Sequence, residues 1–236
     1  MEGYGYSNSY SPSHSETRES YVQNVVLKTY IYMLAVLFVS GLFAYVTYAT
    51  GRAYEMLSSG AFYGFIIVEL IVVIAANVCM KKDMVVPSAF LLVAYSVING
   101  MTLSIIFIAY EMTSIIGIFF VTAALFGAMA FYGHTTKKDL TAMGSIMIMA
   151  LLGLILVTVA NVIFLKSSGV DLLLSYIGVG IFIGLTAYDA QKIKKMAYEN
   201  SETVSPYSIA MYGALQLYLD FINLFLRLLR ILGRRR

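Results

Sequence analysis

The sequence predicts an all-α, polytopic membrane protein with six or seven spanning helices, on three observations. Of its 236 residues 60% are hydrophobic and only 12% charged, about half the charge of a soluble domain. The apolar residues fall in runs of roughly twenty, the length that crosses about 30 Å of hydrocarbon. Two carboxylates, Glu69 and Asp220, lie inside those runs and Asp189 at the end of one, where an ionisable group is costly and therefore a functional candidate.

Seven runs can be marked in order: Thr29–Thr50, Ala61–Met80, Val85–Tyr110, Thr113–Tyr132, Ala142–Leu165, Leu172–Tyr188 and Ser208–Leu229. Gly51-Arg52, Lys81-Lys82-Asp83 and Lys137-Lys138-Asp139 separate neighbours, and links this short make consecutive helices antiparallel. Pro87 falls in the first turn of its helix, where a missing N–H is tolerated. Residues 1–24 read as a disordered polar tail without the apolar core of a signal peptide. Residues 25–233 form one membrane domain, and 234–236 a basic end.

With a cytosolic amino terminus, the inner side receives Arg18, Lys28, Lys81, Lys82, Lys137, Lys138, Lys192, Lys194 and Lys195. Before the last run, the outer side receives only Arg52 and Lys166. Arg227, Arg230 and Arg234 to Arg236 run against that asymmetry, but the length from Ala210 to Ile231 favours a crossing. The net charge of +3 is explained by membrane orientation and calls for no nucleic-acid partner. Cys79, the single cysteine, excludes a disulfide framework and a cysteine metal cage.

Glu69 lies in the middle of the second run, Asp189 at the end of the sixth, and Asp220 in the seventh. In the seventh, Gln216, Asp220, Asn223, Arg227 and Arg230 recur every three or four residues, which sets them on one helical face. Asp189 and Asp220 are equidistant from the Val204-Ser205 bond. A hairpin with its sixth arm running to about Asn200 and its seventh starting near Pro206 would bring them to one height. Two carboxyl groups in contact titrate as a unit, and their ionised oxygens suit Ca²⁺. The spacing leaves a second arrangement open, with Asp189 paired to Lys192 and Asp220 to an arginine. Counted back from Lys81, Glu69 sits about 18 Å deep, a depth Arg227 or Arg230 could share as a buried ion pair. Gly178, Gly180 and Gly184 suit close helix packing.

Gly184-Leu185-Thr186-Ala187-Tyr188-Asp189-Ala190-Gln191, with Leu217-Tyr218-Leu219-Asp220-Phe221-Ile222-Asn223-Leu224-Phe225, resembles the Bax inhibitor-1 family of transmembrane Bax inhibitor motif proteins. Asn99-Gly100-Met101-Thr102-Leu103-Ser104, Phe126-Gly127 and Thr136-Lys137-Lys138-Asp139-Leu140 extend the resemblance over about Val25 to Gly233. It implies seven helices with the last surrounded by the other six, and it favours the aspartate pair. Bacterial members are described as pH-sensitive calcium leak channels gated by two aspartates, which match Asp189 and Asp220 as pH sensor, gate and calcium ligands. The family's latch uses a basic residue on the second helix. This chain has there only Lys81 and Lys82, at the helix end, and its last linker is longer.

The resemblance thus implies Ca²⁺ as a permeant or bound ion, with no other cofactor. The alternative function is regulation by binding a membrane protease or a cell-death regulator, the partners ascribed to bacterial and eukaryotic relatives. The location is the cell membrane of a bacterium or an endomembrane of a eukaryote, with lipid as the constant partner. Enzymatic function is not expected. The last run lacks the lysine of a retinal protein, and the chain lacks the Gly-x-Ser-Gly and mid-span histidine of an intramembrane serine protease.

Overall fold

Hydrocarbon offers the backbone no hydrogen-bond partners, so a chain dominated by apolar runs satisfies its N–H and C=O groups within helices. The computed structural model describes residues 14–201 and 203–236. Nine α-helices are seen there: α1 (His14–Ala49), α2 (Arg52–Ser58), α3 (Ala61–Lys81), α4 (Val85–Leu103), α5 (Ile106–Ala109), α6 (Met112–Thr135), α7 (Thr141–Ala160), α8 (Ser168–Glu199) and α9 (Pro206–Leu232). Seven segments are long and apolar enough to span, with α4 and α5 joined as one and α7 extended by a π-helical turn, Asn161–Leu165.

Of the expected tail, residues 1–13 lie outside the described residues, whereas 14–24 are the first turns of α1. Val22 and Val25 explain the longer helix, for they are buried against Ala197, Ile209 and Ala210 of the α8–α9 hairpin. The expected ends of that hairpin are found. α8 runs to Glu199, and α9 starts at Pro206 behind Ser205, whose hydroxyl caps the Tyr207 N–H at 3.3 Å.

The last helix is the axis of the bundle. Over its most apolar window α9 is 72% buried, against 6% for α3. It packs on α1, α3, α4, α6 and α8, so five helices surround it, while α7 lies outside them against α8. The sixth neighbour implied by the resemblance is therefore displaced to an outer layer.

α9 runs the full length of the bundle. Its far end is stapled to the α5–α6 link, where the Glu111 N–H donates to the Arg234 carbonyl at 3.0 Å and the Arg236 N–H to the Ala109 carbonyl at 3.1 Å. Arg234, Arg235 and Arg236 thus lie at the end opposite the lysine-bearing links. At that lysine-bearing end, Gln191 of α8 clamps the α6–α7 link. Its Oε1 accepts from the Leu140 N–H and its Nε2 donates to the Lys138 carbonyl, both at 2.8 Å.

Small residues set the closest approaches. A Cβ on Gly133 of α6 would strike the carbonyl of Ala187 in α8, backbone against backbone. Gly178 and Gly184 receive the side chains of Arg227 and Met147, whereas Gly180 faces open space and makes no such contact.

Gly133→Ala should therefore force α6 from α8 and destabilise the fold by about 1–3 kcal/mol. Gly117→Ala, where a Cβ meets open space, should be neutral or stabilising. Thermal unfolding in detergent followed by circular dichroism distinguishes the two. Equal midpoints would show that the α6–α8 approach is not tight.

Candidate functional site

Asp189 and Asp220 stand where α8 and α9 face each other, on two arms of one hairpin. They are 8% and 5% exposed, and their carboxyl groups lie within hydrogen-bonding reach of each other. Oδ2 of Asp220 is buried with no hydrogen-bond partner. A proton between the two makes one carboxyl a donor and the other an acceptor, a bond tying α8 to α9 that is lost when both are ionised.

The competing arrangement of separate ion pairs is not found. Lys192, one turn beyond Asp189, turns its Nζ to the hydroxyl of Tyr212 at 3.2 Å and lies beside the Tyr188 and Tyr212 rings. Among the described residues the one ion pair joins Arg230 to Asp171 of α8. Lys81 and Lys82 are exposed at the end of α3 and make no ion pair with the aspartates or any other described residue, so neither latches the pair. The cation closest to the pair in sequence and space is Lys192.

Glu69 does not pair with Arg227 or Arg230. Its Oε2 accepts from Asn99 Nδ2 at 3.1 Å, and Asn99 Oδ1 accepts from the Tyr218 hydroxyl at 2.7 Å, a chain linking α3, α4 and α9. Oε1 of Glu69 is buried without a partner. The reason is azimuth rather than depth. Arg227 follows Asp220 by seven residues, nearly two whole turns, so it projects toward α8 as Asp220 does and lies against Gly178. Arg230 is drawn to Asp171 on the same helix. Nearer its start α9 reaches α3 through Gln216, bonded to Asn77 at 3.2 Å, and α4 through Tyr218 on the opposite side of the helix.

Two cavities flank the aspartates along α9. One of about 360 Å³ at the lysine-bearing end is lined by Lys81, Lys192, Ser208 and Tyr212. One of about 510 Å³ toward the far end is lined by Thr158, Asn223, Arg227 and Arg230. Asp220 lies between Tyr212 and Asn223 in sequence, so the carboxyl pair occupies the packed stretch separating the two. Among the described residues no three His, Cys, Asp or Glu side chains cluster to hold a metal. Two carboxylates supply at most four of the six to eight oxygens that Ca²⁺ takes, so water would have to complete its shell.

Asn99, Tyr218, Asn77 and Tyr212 escaped the sequence reading, which weighed ionisable groups by depth. Their signal was present, since a mid-run Asn or Tyr also needs a polar partner in lipid.

A family model described as inhibitor of apoptosis-promoting Bax1 matches residues 22–236. The inner membrane protein YbhL of Escherichia coli K12 is 40% identical over 219 residues, 91% of this chain and 93% of that protein. An uncharacterized protein of Borreliella burgdorferi is 40% identical over 225 residues, 94% and 97% of the two chains. An uncharacterized membrane protein of Streptococcus pyogenes serotype M1 is 41% identical over 175 residues, 73% and 74% of the two.

Replacing Asn99 by leucine strands Glu69 and Tyr218 together. The expected loss is about 2 kcal/mol or more, against about 1 kcal/mol for Tyr218→Phe, which removes one donor and leaves Asn99 bonded to Glu69. Chemical denaturation of both variants in the same micelle checks the order. A Tyr218→Phe loss as large as that of Asn99→Leu would mean that the chain of bonds is not centred on Asn99.

Proposed function

Since the chain belongs to the Bax inhibitor-1 family, as a multi-pass integral membrane protein, we propose that it is a calcium-permeable leak whose gate is the Asp189–Asp220 pair. The observation that carries the proposal is the contact of two buried carboxyl groups in the packed stretch between two cavities. The distribution of Lys and Arg supports a cytosolic amino terminus.

With a proton shared, the hydrogen bond holds α8 against α9 and the cavities stay apart. When pH rises and that proton leaves, two like charges face each other in a poorly hydrated interface and push the helices apart. The freed oxygens then attract a hard cation, so the event that opens the path also creates its calcium stop. Four oxygens cannot strip Ca²⁺ of all its water, which suits passage rather than retention. Arg227 and Arg230 lower the cation concentration in the far cavity, which keeps conduction at the level of a leak. The proposed activity contains no catalytic step.

Calcium flux into liposomes carrying the purified protein should rise with pH in the wild type. In Asp189→Asn or Asp220→Asn the amide is a permanent donor to the remaining carboxylate. Flux should fall roughly tenfold and lose its pH dependence, one charge-assisted hydrogen bond being about 1.5–3 kcal/mol. Glu111→Gln, at the start of α6 and far from the pair, should keep the wild-type profile. Unchanged profiles in both aspartate variants would remove the pair as sensor. Wild-type flux at no pH would overturn the leak itself and favour regulation of a bound partner.

A further inference from the structure

α1 and α6 both pack on α9 yet leave a cleft between them that opens sideways. The cleft has a volume of about 440 Å³, with walls of Leu34, Leu37, Phe119, Gly127 and Phe131 and a floor of Phe221. Leu34 is 61% exposed and Phe131 70%, so its mouth faces the hydrocarbon. A second cavity of about 600 Å³ adjoins it at the lysine-bearing end and shares Tyr30 and His134 with it. Its lining turns polar, with Glu19, Gln23, Tyr198 and Lys194. Each volume falls within the range of small-molecule sites.

We propose that this paired cavity is a binding site for one phospholipid with an anionic headgroup, an acyl chain in the cleft and the phosphate at the polar end. Three observations lead to it. The apolar part opens to lipid and not to water, so hydrocarbon is what fills it. The polar part lies where the cleft meets the end of the bundle, so head and tail are in the order and direction of a lipid in that leaflet. Its charge is also complementary, since among the described side chains Lys194 in the lining and Arg18 beside it outnumber the carboxylate of Glu19. Lys194 spends one hydrogen bond on the His134 carbonyl, at 3.0 Å, and keeps two donors. Arg18 is held beside it, bonded to the Tyr198 carbonyl at 2.6 and 3.0 Å and stacked on the Tyr198 ring.

Occupancy reaches the centre of the protein. Phe221, the floor, follows Asp220 in α9 and is packed edge-on by Phe119 and Phe126 at 5.4 and 5.5 Å. A chain in the cleft therefore presses on the axial helix beside the carboxyl pair. The site itself stands whether or not the protein conducts calcium.

The test is lipid retention, read by native mass spectrometry. Full-length protein is equilibrated with equal phosphatidylglycerol and phosphatidylcholine in mild detergent. The wild type should retain one phospholipid and prefer phosphatidylglycerol about tenfold, as two surface cations allow. Gly127 has open space at its Cβ position, so Gly127→Phe fills the cleft without striking backbone and should abolish retention. If that variant fails to fold, Leu34→Trp blocks the cleft from its lipid-facing rim. Lys194→Gln combined with Arg18→Gln should still retain a lipid but hold both headgroups about equally. The site is overturned if the wild type retains no lipid, if filling the cleft leaves retention unchanged, or if the charge variant keeps its preference.

Discussion

Most polar side chains on α9 find their partners on other helices, because the apolar surroundings supply none. That requirement organises the bundle. Asp220 is answered by α8, Tyr218 by α4, Gln216 by α3 and Arg230 by α8 again. A helix with such a spiral of obligations cannot face lipid on any side, so it takes the axis and the apolar helices close around it. α3 and α7 carry few such groups, and accordingly they lie at the periphery.

Much of this was legible because it follows from length and spacing. The runs located the spans, and equal distances from the Val204-Ser205 bond put Asp189 and Asp220 at one height along a hairpin with ends near Asn200 and Pro206, while the choice of their pairing over separate ion pairs came from the family resemblance. What failed was azimuth. Glu69 and Arg227 could be matched in depth by counting residues, but nothing in a single sequence says which neighbour a helix face meets. Seven residues from Asp220 is almost two turns, so Arg227 follows Asp220 toward α8 and leaves Glu69 to Asn99. The polar tail was misjudged for a related reason. Val22 and Val25 look sparse in sequence, yet they land on a surface built by residues more than 170 positions away.

The resemblance to known proteins and the geometry bear on different questions. Similarity establishes the family and the membrane setting. The residues themselves set limits on a gate here. The second-helix lysines stay at the surface, so the gate proposed above relies on the pair's own proton rather than on those cations. Lys192 stands one turn away with Tyr212, between the pair and the cavity at the lysine-bearing end. The gate so described is a single hydrogen bond between two helices, placed where the rest of the packing is dense.

That bond is the central claim, and infrared spectroscopy of the carboxyl groups tests it most directly. A buried, protonated carboxyl gives a C=O stretch distinct from that of a carboxylate. Titration of the reconstituted protein should show such a band that disappears as pH rises, and it should be missing from Asp189→Asn and from Asp220→Asn alike, because one proton serves both residues. A band that survives in both variants after Glu69→Gln has removed the other buried carboxyl, or its absence from the wild type at every pH, would contradict a shared proton between α8 and α9.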